Sequence, residues 1–273
     1  MQAPLTKQAL AAAVRAAHAA GKLMRDNLRS VKRIHAATQH DIKLELDVRC
    51  QRLIESQLRR ACPGVAVLGE EGVHGDPDAE HRWVVDPIDG TVNFTYGIPH
   101  ACVSIALQDK VQSPKSKVQS RTGAVARYDT VLGVVYDPFC DELWTAIDGQ
   151  SARLNGKIIR VSSRRRLNEA IIALGFAKER RTLEKMLPTF NQLVHRVRKI
   201  RIMGAAALSL AYVATGRMDA YIEYGLRLWD IAAGGLLIEC AGGEFWHAPV
   251  MDGEAYRILA SNGRLRRQLE EFC

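Results

Sequence analysis

Acidic residues stand at the ends of apolar runs at four places: Asp47 in DIKLELD, Glu70 and Glu71 in LGEEG, Asp86 and Asp89 in WVVDPIDGT, and Asp230 in LWDIAAGG. Taken singly each says little, because a strand-end Asp is most often a cap or a turn former. Taken together they suggest a shared pocket. Two carboxylates brought to about 4 Å repel by roughly 4 kcal/mol at an effective dielectric of 20, so convergence would require cations between them. The donors are all oxygens and no His or Cys lies at ligand spacing nearby, which favours Mg²⁺ or Mn²⁺ over Zn²⁺. An EF-hand does not fit, since counting from Asp86 puts Ile88 third and Gly97 where a bidentate acid is required.

The residues after Asp89 suit an anion. Pro87 fixes one backbone angle, Ile88 anchors the turn, and Gly90 lets the chain approach a ligand closely. Gly90 and Thr91 can present backbone N–H groups at the start of a helix or nest, where phosphate is stabilised. The Thr91 hydroxyl can also orient a water. Carboxylates able to hold two metals beside donors able to hold a phosphate are what metal-assisted phosphate-ester hydrolysis needs. Competing motifs are missing: residues 149–157 lack the spacing of a P-loop, and neither GxSxG nor HExxH occurs. His100, close to the acidic turn, reads as a packed or surface residue rather than a base.

The elements that must position these side chains can be read from periodicity. Leu10, Val14, Ala17, Gly21, Met24 and Leu28 mark one face of a first helix, and Leu46, Cys50, Leu53, Ile54 and Leu58 a second, stopped by Pro63-Gly64. Asp47 falls in the first turn of the second. Strands are expected at 65–68, 83–85, 102–108, 131–136, 143–146 and 158–161. Residues 110–127, with five basic residues and no acid, read as an extended hairpin loop. The second half alternates: strand 170–174, helix from Leu183 through Val197, strand 199–202, helix 206–215, strand 218–223, helix 229–241, and short strands near 244–246 and 258–260. Helices and strands interleave without a regular βαβ repeat, so a layered α/β arrangement fits better than a Rossmann fold. No linker divides the chain.

At 273 residues, 47% apolar and 25% charged, the chain has ample material for a core. Its longest apolar stretches, such as Ala205 to Ala214, are about half of what a bilayer span needs, and Arg15 interrupts the apolar N-terminal stretch, which lacks a basic leader. A cytoplasmic protein is expected. Six cysteines, widely spaced and without CxxC pairs, suit reduced structural thiols. A formal charge of +8 and a pI near 9.3 favour anionic partners, or simply a solvated basic face.

The order and spacing of DIKLELD, GEEG, WVVDPIDGTVNF, LNGKIIRVS and the run from Gly204 to Gly243 resemble the inositol monophosphatase family, within the lithium-sensitive, magnesium-dependent phosphatase superfamily, over nearly the whole chain. The resemblance implies a five-layered αβαβα sandwich, a homodimer, Mg²⁺ (two or three ions per subunit) as cofactor and Li⁺ as inhibitor. It implies one unit, with an N-terminal lobe of about 1–160 holding most metal ligands and a C-terminal lobe of about 161–273 holding Asp230. By position, Glu70, Asp86 and the Ile88 carbonyl would hold one metal, and Asp86, Asp89 and Asp230 a second. A third would use Glu70 mainly through water. Thr91 and Asp47 would orient the attacking water, and Gly90 and Thr91 would bind phosphate. The backbone of Gly204, Ala205 and Ala206 would face a sugar-like ring whose hydroxyls Glu223 accepts. Arg227 would lie near the substrate or the subunit contact, or serve as a surface ion pair.

Leu44 stands where the family usually has Thr, removing a hydroxyl from the region that handles water. Three activities share such a metal site: inositol monophosphatase, the reading preferred here, fructose-1,6-bisphosphatase, and 3′-phosphoadenosine bisphosphate nucleotidase. A rival of another class is a regulatory protein associated with RNA or the transcription machinery, as some bacterial relatives are. It rests on the basic segments 110–127, 164–166, 178–181 and 196–201. Against it, 110–127 has no aromatic residue on which a base could stack.

Overall fold

A computed structural model describes residues 3–30, 34–37, 42–76, 78–111, 127–176, 180–250, 253 and 255–272. The first half runs α1 (Ala3–Asn27), β1 (Ile34–Ala37), β2 (Ile42–Leu44), α2 (Glu45–Ala61), β3 (Ala66–Gly69), β4 (Gly72–His74), β5 (His81–Asp89), α3 (Thr91–Thr95), β6 (Cys102–Val111), β7 (Arg127–Asp137), β8 (Glu142–Ile147), β9 (Arg153–Leu154) and β10 (Lys157–Ile158). The second runs β11 (Ile171–Leu174), α4 (Arg180–Leu193), β12 (Lys199–Arg201), α5 (Ala206–Ala214), β13 (Ala220–Leu226), α6 (Leu228–Cys240), β14 (Glu244–Val250), β15 (Ala255–Ser261) and α7 (Arg266–Leu269).

Among the described residues the strands form an eight-stranded sheet ordered β10-β9-β8-β7-β6-β5-β3-β4, a five-stranded sheet ordered β12-β11-β13-β15-β14, and the pair β1-β2. Helices α1 and α2 pack together over the outer face of the large sheet. Helices α5 and α6 lie between the two sheets. Helices α4 and α7 cover the outer face of the smaller one. The result is the expected five-layered αβαβα sandwich.

Three local features set the spacing of these layers. The buried stripe of α1 is Ala9, Ala12, Ala13, Ala16, Ala17, Ala20 and Met24, all at 0% exposure, while Leu10 and Val14 sit at its margin. Small side chains bring this helix close to its neighbours, and a Cβ on Gly21 would fall 2.5 Å from the Tyr136 ring. Within the central layer, a Cβ on Gly133 of β7 would lie 2.8 Å from the Ala233 carbonyl, so α6 rests almost directly on the sheet. Asp219 is fully buried beneath β11 and β13 and accepts from Ser162, Arg164 and the Ile171 N–H, fixing the start of the smaller sheet.

Some expected boundaries move. The strand expected at 158–161 ends at Ile158, because Ile159 N–H turns to Ala152 O and Val161 N–H to Ala241 O, at the end of α6. Helix α4 ends at Leu193 rather than near Val197, closing in a turn where Arg196 and Val197 return their N–H groups to Leu193 O. Strands β14 and β15 are longer than expected and pair from Glu244↔Ser261 to Val250↔Ala255. The base of the expected 110–127 hairpin is present as Lys110↔Tyr128 and Val111↔Arg127, and residues 112–126 lie outside the described residues. Among the described residues no helix is long and apolar enough to cross a membrane.

Candidate functional site

Asp86 and Asp89 are three apart, so in a regular strand they would face opposite sides of the sheet. They do not, because β5 is irregular there. Asp86 pairs with Ser104 and Asp89 with Cys102, and the register shifts between them. Three steps on β5 thus match two on β6. Such a bulge turns both carboxylates to the same face, toward the layer of α5 and α6. Pro87, which has no N–H to pair, falls within the shift. The Asp86 carboxylate accepts the Ile88 N–H at 3.0 Å and steadies the bend.

Two helix starts meet this face. One oxygen of Asp89 accepts the Ala206 N–H at 3.0 Å and the other accepts the Ala207 N–H at 2.8 Å, so the unpaired donors of the first turn of α5 end on a carboxylate. Asp230 lies in the first turn of α6 and accepts the Arg227 N–H at 2.6 Å. Ser104 donates to Trp229 O at 3.2 Å and pins that helix start to β6. Asp86, Asp89 and Asp230 each offer an oxygen, and the three oxygens lie within 4.8 Å of one another.

Glu70 joins from the turn after β3, which Glu70 N–H ties to Val85 O at 3.1 Å, and its side chain is within hydrogen-bond reach of Asp86. Burial, with Glu70, Asp89 and Asp230 alongside, holds the Asp86 carboxyl well above the usual range. Asp89 is pushed up to about 6, burial outweighing the N–H groups of Ala206 and Ala207, which favour its charged form. Three carboxylates in reach of one another, a fourth beside Asp86 and the nearby Ile88 carbonyl form an all-oxygen donor set suited to a hard divalent ion.

Gly90 adopts φ +91°, and a Cβ there would lie 2.9 Å from the His100 carbonyl, so glycine is required on both counts. Thr91 begins α3 and donates its hydroxyl to the Ile88 carbonyl at 2.9 Å. Asp47 is buried in the first turn of α2 and accepts the Leu44 N–H at 2.8 Å. Its helix is tied to the turn that carries Glu70, because Gln51, one turn beyond Asp47, accepts the Glu71 N–H at 2.9 Å, and α3 lies against β2. Leu44 itself is 1% exposed and buried in the core under α1, so its side chain meets hydrocarbon. His100 is half-buried against Tyr212, and burial lowers its pKa.

The ring-facing residues expected from the sequence also collect here. Gly204, at φ +71°, and Ala205 precede α5, and the Asn93 amide holds that approach by donating to His100 O at 3.0 Å and Met203 O at 2.8 Å. Glu223 is buried in the middle of β13 and accepts from the Tyr221 hydroxyl. Burial and Glu223 push the Tyr221 phenol well up, keeping it a donor. Arg227 is the N-cap residue of α6; its side chain is half-buried and its backbone N–H meets Asp230, three residues on. Asn93, Ser104 and Cys102 are the site residues that sequence reasoning missed. Asn93 alone had a signal, its place in the quoted WVVDPIDGTVNF.

With this geometry in hand, the model of the inositol monophosphatase family matches residues 5–115 and 122–272. The chain belongs to the inositol monophosphatase family. A relative named Nus factor SuhB from Xylella fastidiosa is 35% identical over 98% of this chain and 94% of its own. Inositol monophosphatase 1 of Solanum lycopersicum is 36% identical over 96% and 93%. The crystal structure of the extragenic suppressor protein suhB from Bartonella henselae superposes with a TM-score of 0.84 at 34% identity, covering 96% of each chain. As a member of this family the protein is a phosphatase, and its acidic cluster can hold a metal ion.

Proposed function

We propose that the protein is a Mg²⁺-dependent phosphate monoester hydrolase acting on inositol 1-phosphate, cytoplasmic, and working as a single two-lobed unit within a homodimer. The observation that carries this reading is the convergence of Asp86, Asp89 and Asp230 within 4.8 Å at the starts of two helices. Glu70, Asp86 and the Ile88 carbonyl would hold one cation; Asp86, Asp89 and Asp230 would hold another, with a third reached from Glu70 through water. Bound there, the ions would acidify a water and stabilise the departing alkoxide.

The chain's own groups do the rest. The Gly90 and Thr91 N–H groups cradle the phosphate. Because the Thr91 hydroxyl donates its proton to Ile88 O, its lone pairs face outward to accept from a water, and Asp47 supplies the second acceptor that aims it for in-line attack. Gly204, Ala205 and Ala206 present backbone to the ring of the leaving group, Glu223 accepts its hydroxyls, and Arg227 lies at the rim. Exposed Tyr96 and Ile98, on the loop that Asn93 ties to the segment following the equally exposed Ile202, support pairing of two subunits.

The test is phosphate release with Mg²⁺ from inositol 1-phosphate, fructose 1,6-bisphosphate and 3′-phosphoadenosine 5′-phosphate, with and without Li⁺. Preference for the first, inhibited by Li⁺, is expected; preference for either of the others rejects the substrate while keeping the chemistry. A second role with RNA or the transcription machinery is favoured by the name Nus factor carried by the Xylella relative and by the exposed basic residues Lys199 and Arg201 on the edge strand of the smaller sheet, with Arg198 just before it. Salt-sensitive binding of RNA, lost when those residues are neutralised, tests it.

A further inference from the structure

Glu223 holds an unusual place for a carboxylate that must meet a substrate. It is only 7% exposed, on β13, where parallel pairing with β11 ends at Leu174↔Ile222. The residue after β11 is Gly175, whose N–H donates to Ile222 O at 3.2 Å; while β13 runs on to Leu226, Gly175 lies beside Glu223 at the carboxyl end of β11. That is where an open α/β sheet places its ligands. The carboxylate lies folded over the glycine: a Cβ on Gly175 would fall 1.5 Å from one Glu223 oxygen and 2.0 Å from its carboxyl carbon. Gly175 has no positive φ, so the absent side chain is explained by this close approach and not by backbone conformation.

Tyr221 provides the other half of the seat. Residues two apart on a strand share a face, and the Tyr221 hydroxyl, carried by a ring 2% exposed within the central layer, donates to the Glu223 oxygen that crowds Gly175. With one oxygen engaged by the phenol, the carboxylate is held in one orientation. A Glu side chain has three rotatable bonds, and fixing them in advance removes an ordering cost that a bound ligand would otherwise bear.

We propose that Tyr221 and Gly175 are positioning residues that seat Glu223, and that this seat confers the preference for phosphate esters whose leaving group carries hydroxyls. The proposal rests on the function inferred above. It predicts selective damage: substitution at either position harms esters that Glu223 can hold by a hydroxyl and spares those it cannot.

The experiment compares wild-type protein with Tyr221→Phe and Gly175→Ala on inositol 1-phosphate and on p-nitrophenyl phosphate, which has no leaving-group hydroxyl for Glu223. Both variants should raise KM for inositol 1-phosphate about tenfold with kcat changed less than about threefold, and leave kcat/KM for p-nitrophenyl phosphate within about twofold. Gly175→Ala is the more telling variant, because its methyl meets the movable end of a side chain rather than backbone. Equal losses on both esters, or no loss on either, overturn the proposal. A crystal structure of Gly175→Ala supplies a readout independent of turnover: the Glu223 carboxylate should leave the Tyr221 hydroxyl, and an unmoved carboxylate overturns the seat. A wild-type enzyme that hydrolyses p-nitrophenyl phosphate but not inositol 1-phosphate would sink the substrate assignment, and with it the selectivity, while the crystallographic result would still decide the seat.

Discussion

Replacing Asp86 by Asn should make the metal-free protein more stable and the metal-loaded protein inactive. At 4.8 Å, the limit within which the Asp86, Asp89 and Asp230 oxygens lie, each ionised pair repels by about 3 kcal/mol at an effective dielectric of 20. Asparagine keeps the oxygen that accepts the Ile88 N–H and removes the charge. A gain of about 3 kcal/mol corresponds to roughly 6–12 °C in melting temperature for a chain of this size. The pH dependence has a definite sign. Folding raises the Asp86 and Asp89 pKa values above the ordinary aspartate value of 3.8, to about 6 for Asp89, so over that interval the folded state holds protons that the unfolded chain has released. Stability is therefore fully present below about pH 4 and is lost as pH rises through the folded values. Cations reverse this by displacing the protons, and their affinity rises with pH. Scanning calorimetry at pH 5 and pH 8, in EDTA and in MgCl₂, reads all of it. The variant should melt above wild type in EDTA at pH 8, by less at pH 5, and should gain little from Mg²⁺. A variant that melts at or below wild type in EDTA at pH 8, or that Mg²⁺ stabilises as strongly as wild type, refutes the reasoning.

Asp47→Asn keeps the capping acceptor for Leu44 N–H but weakens the aim of the water, so kcat should fall at least about tenfold, near 1.4 kcal/mol of barrier, while Mg²⁺ affinity by titration calorimetry changes less than about threefold. Equal losses in both would mean that Asp47 belongs with the metal ligands. Gly90→Ala forces a side chain into φ +91° and against the His100 carbonyl at 2.9 Å, which should cost about 1–3 kcal/mol and raise KM; an unchanged melting temperature would contradict this. Alkylation at pH 8 followed by mass spectrometry should find exposed Cys140 modified before Cys50, whose thiol burial pushes up to about 12, and Cys240, pushed to about 11.

Much of the site was legible because chemistry leaves a local mark: acids at strand ends, a Pro-Ile-Asp-Gly turn, a Trp-Asp at a helix start. What stayed hidden depended on pairing between distant segments. Nothing in WVVDPIDG tells how Pro87 and Ile88 are accommodated, so a shared face for Asp86 and Asp89 follows only once Ser104 and Cys102 are set opposite them. The seat of Glu223 needs β11 beside β13, a pairing across 48 residues at Ile172↔Ala220, and an isolated Gly175 gives no hint of it. Helix α1 is legible from its periodicity, yet its buried stripe is mostly alanine, of which only Ala17 stands in the expected face, because weak hydrophobicity hides a role in close approach. Strand 158–161 was a sound local reading overridden by backbone bonds to Ala152 and Ala241. Short strands such as β1, β2 and β4 carry too few residues for any period to register.

Gly133 touches none of the acids, yet α6 rests on it through Ala233, three residues from Asp230. A methyl group there would lift the helix like a shim under a hinge plate, and the aspartate would rise with it. The spacing of the acidic cluster is thus gauged at the floor of the molecule's middle tier, and tuning could act there without altering a single carboxylate.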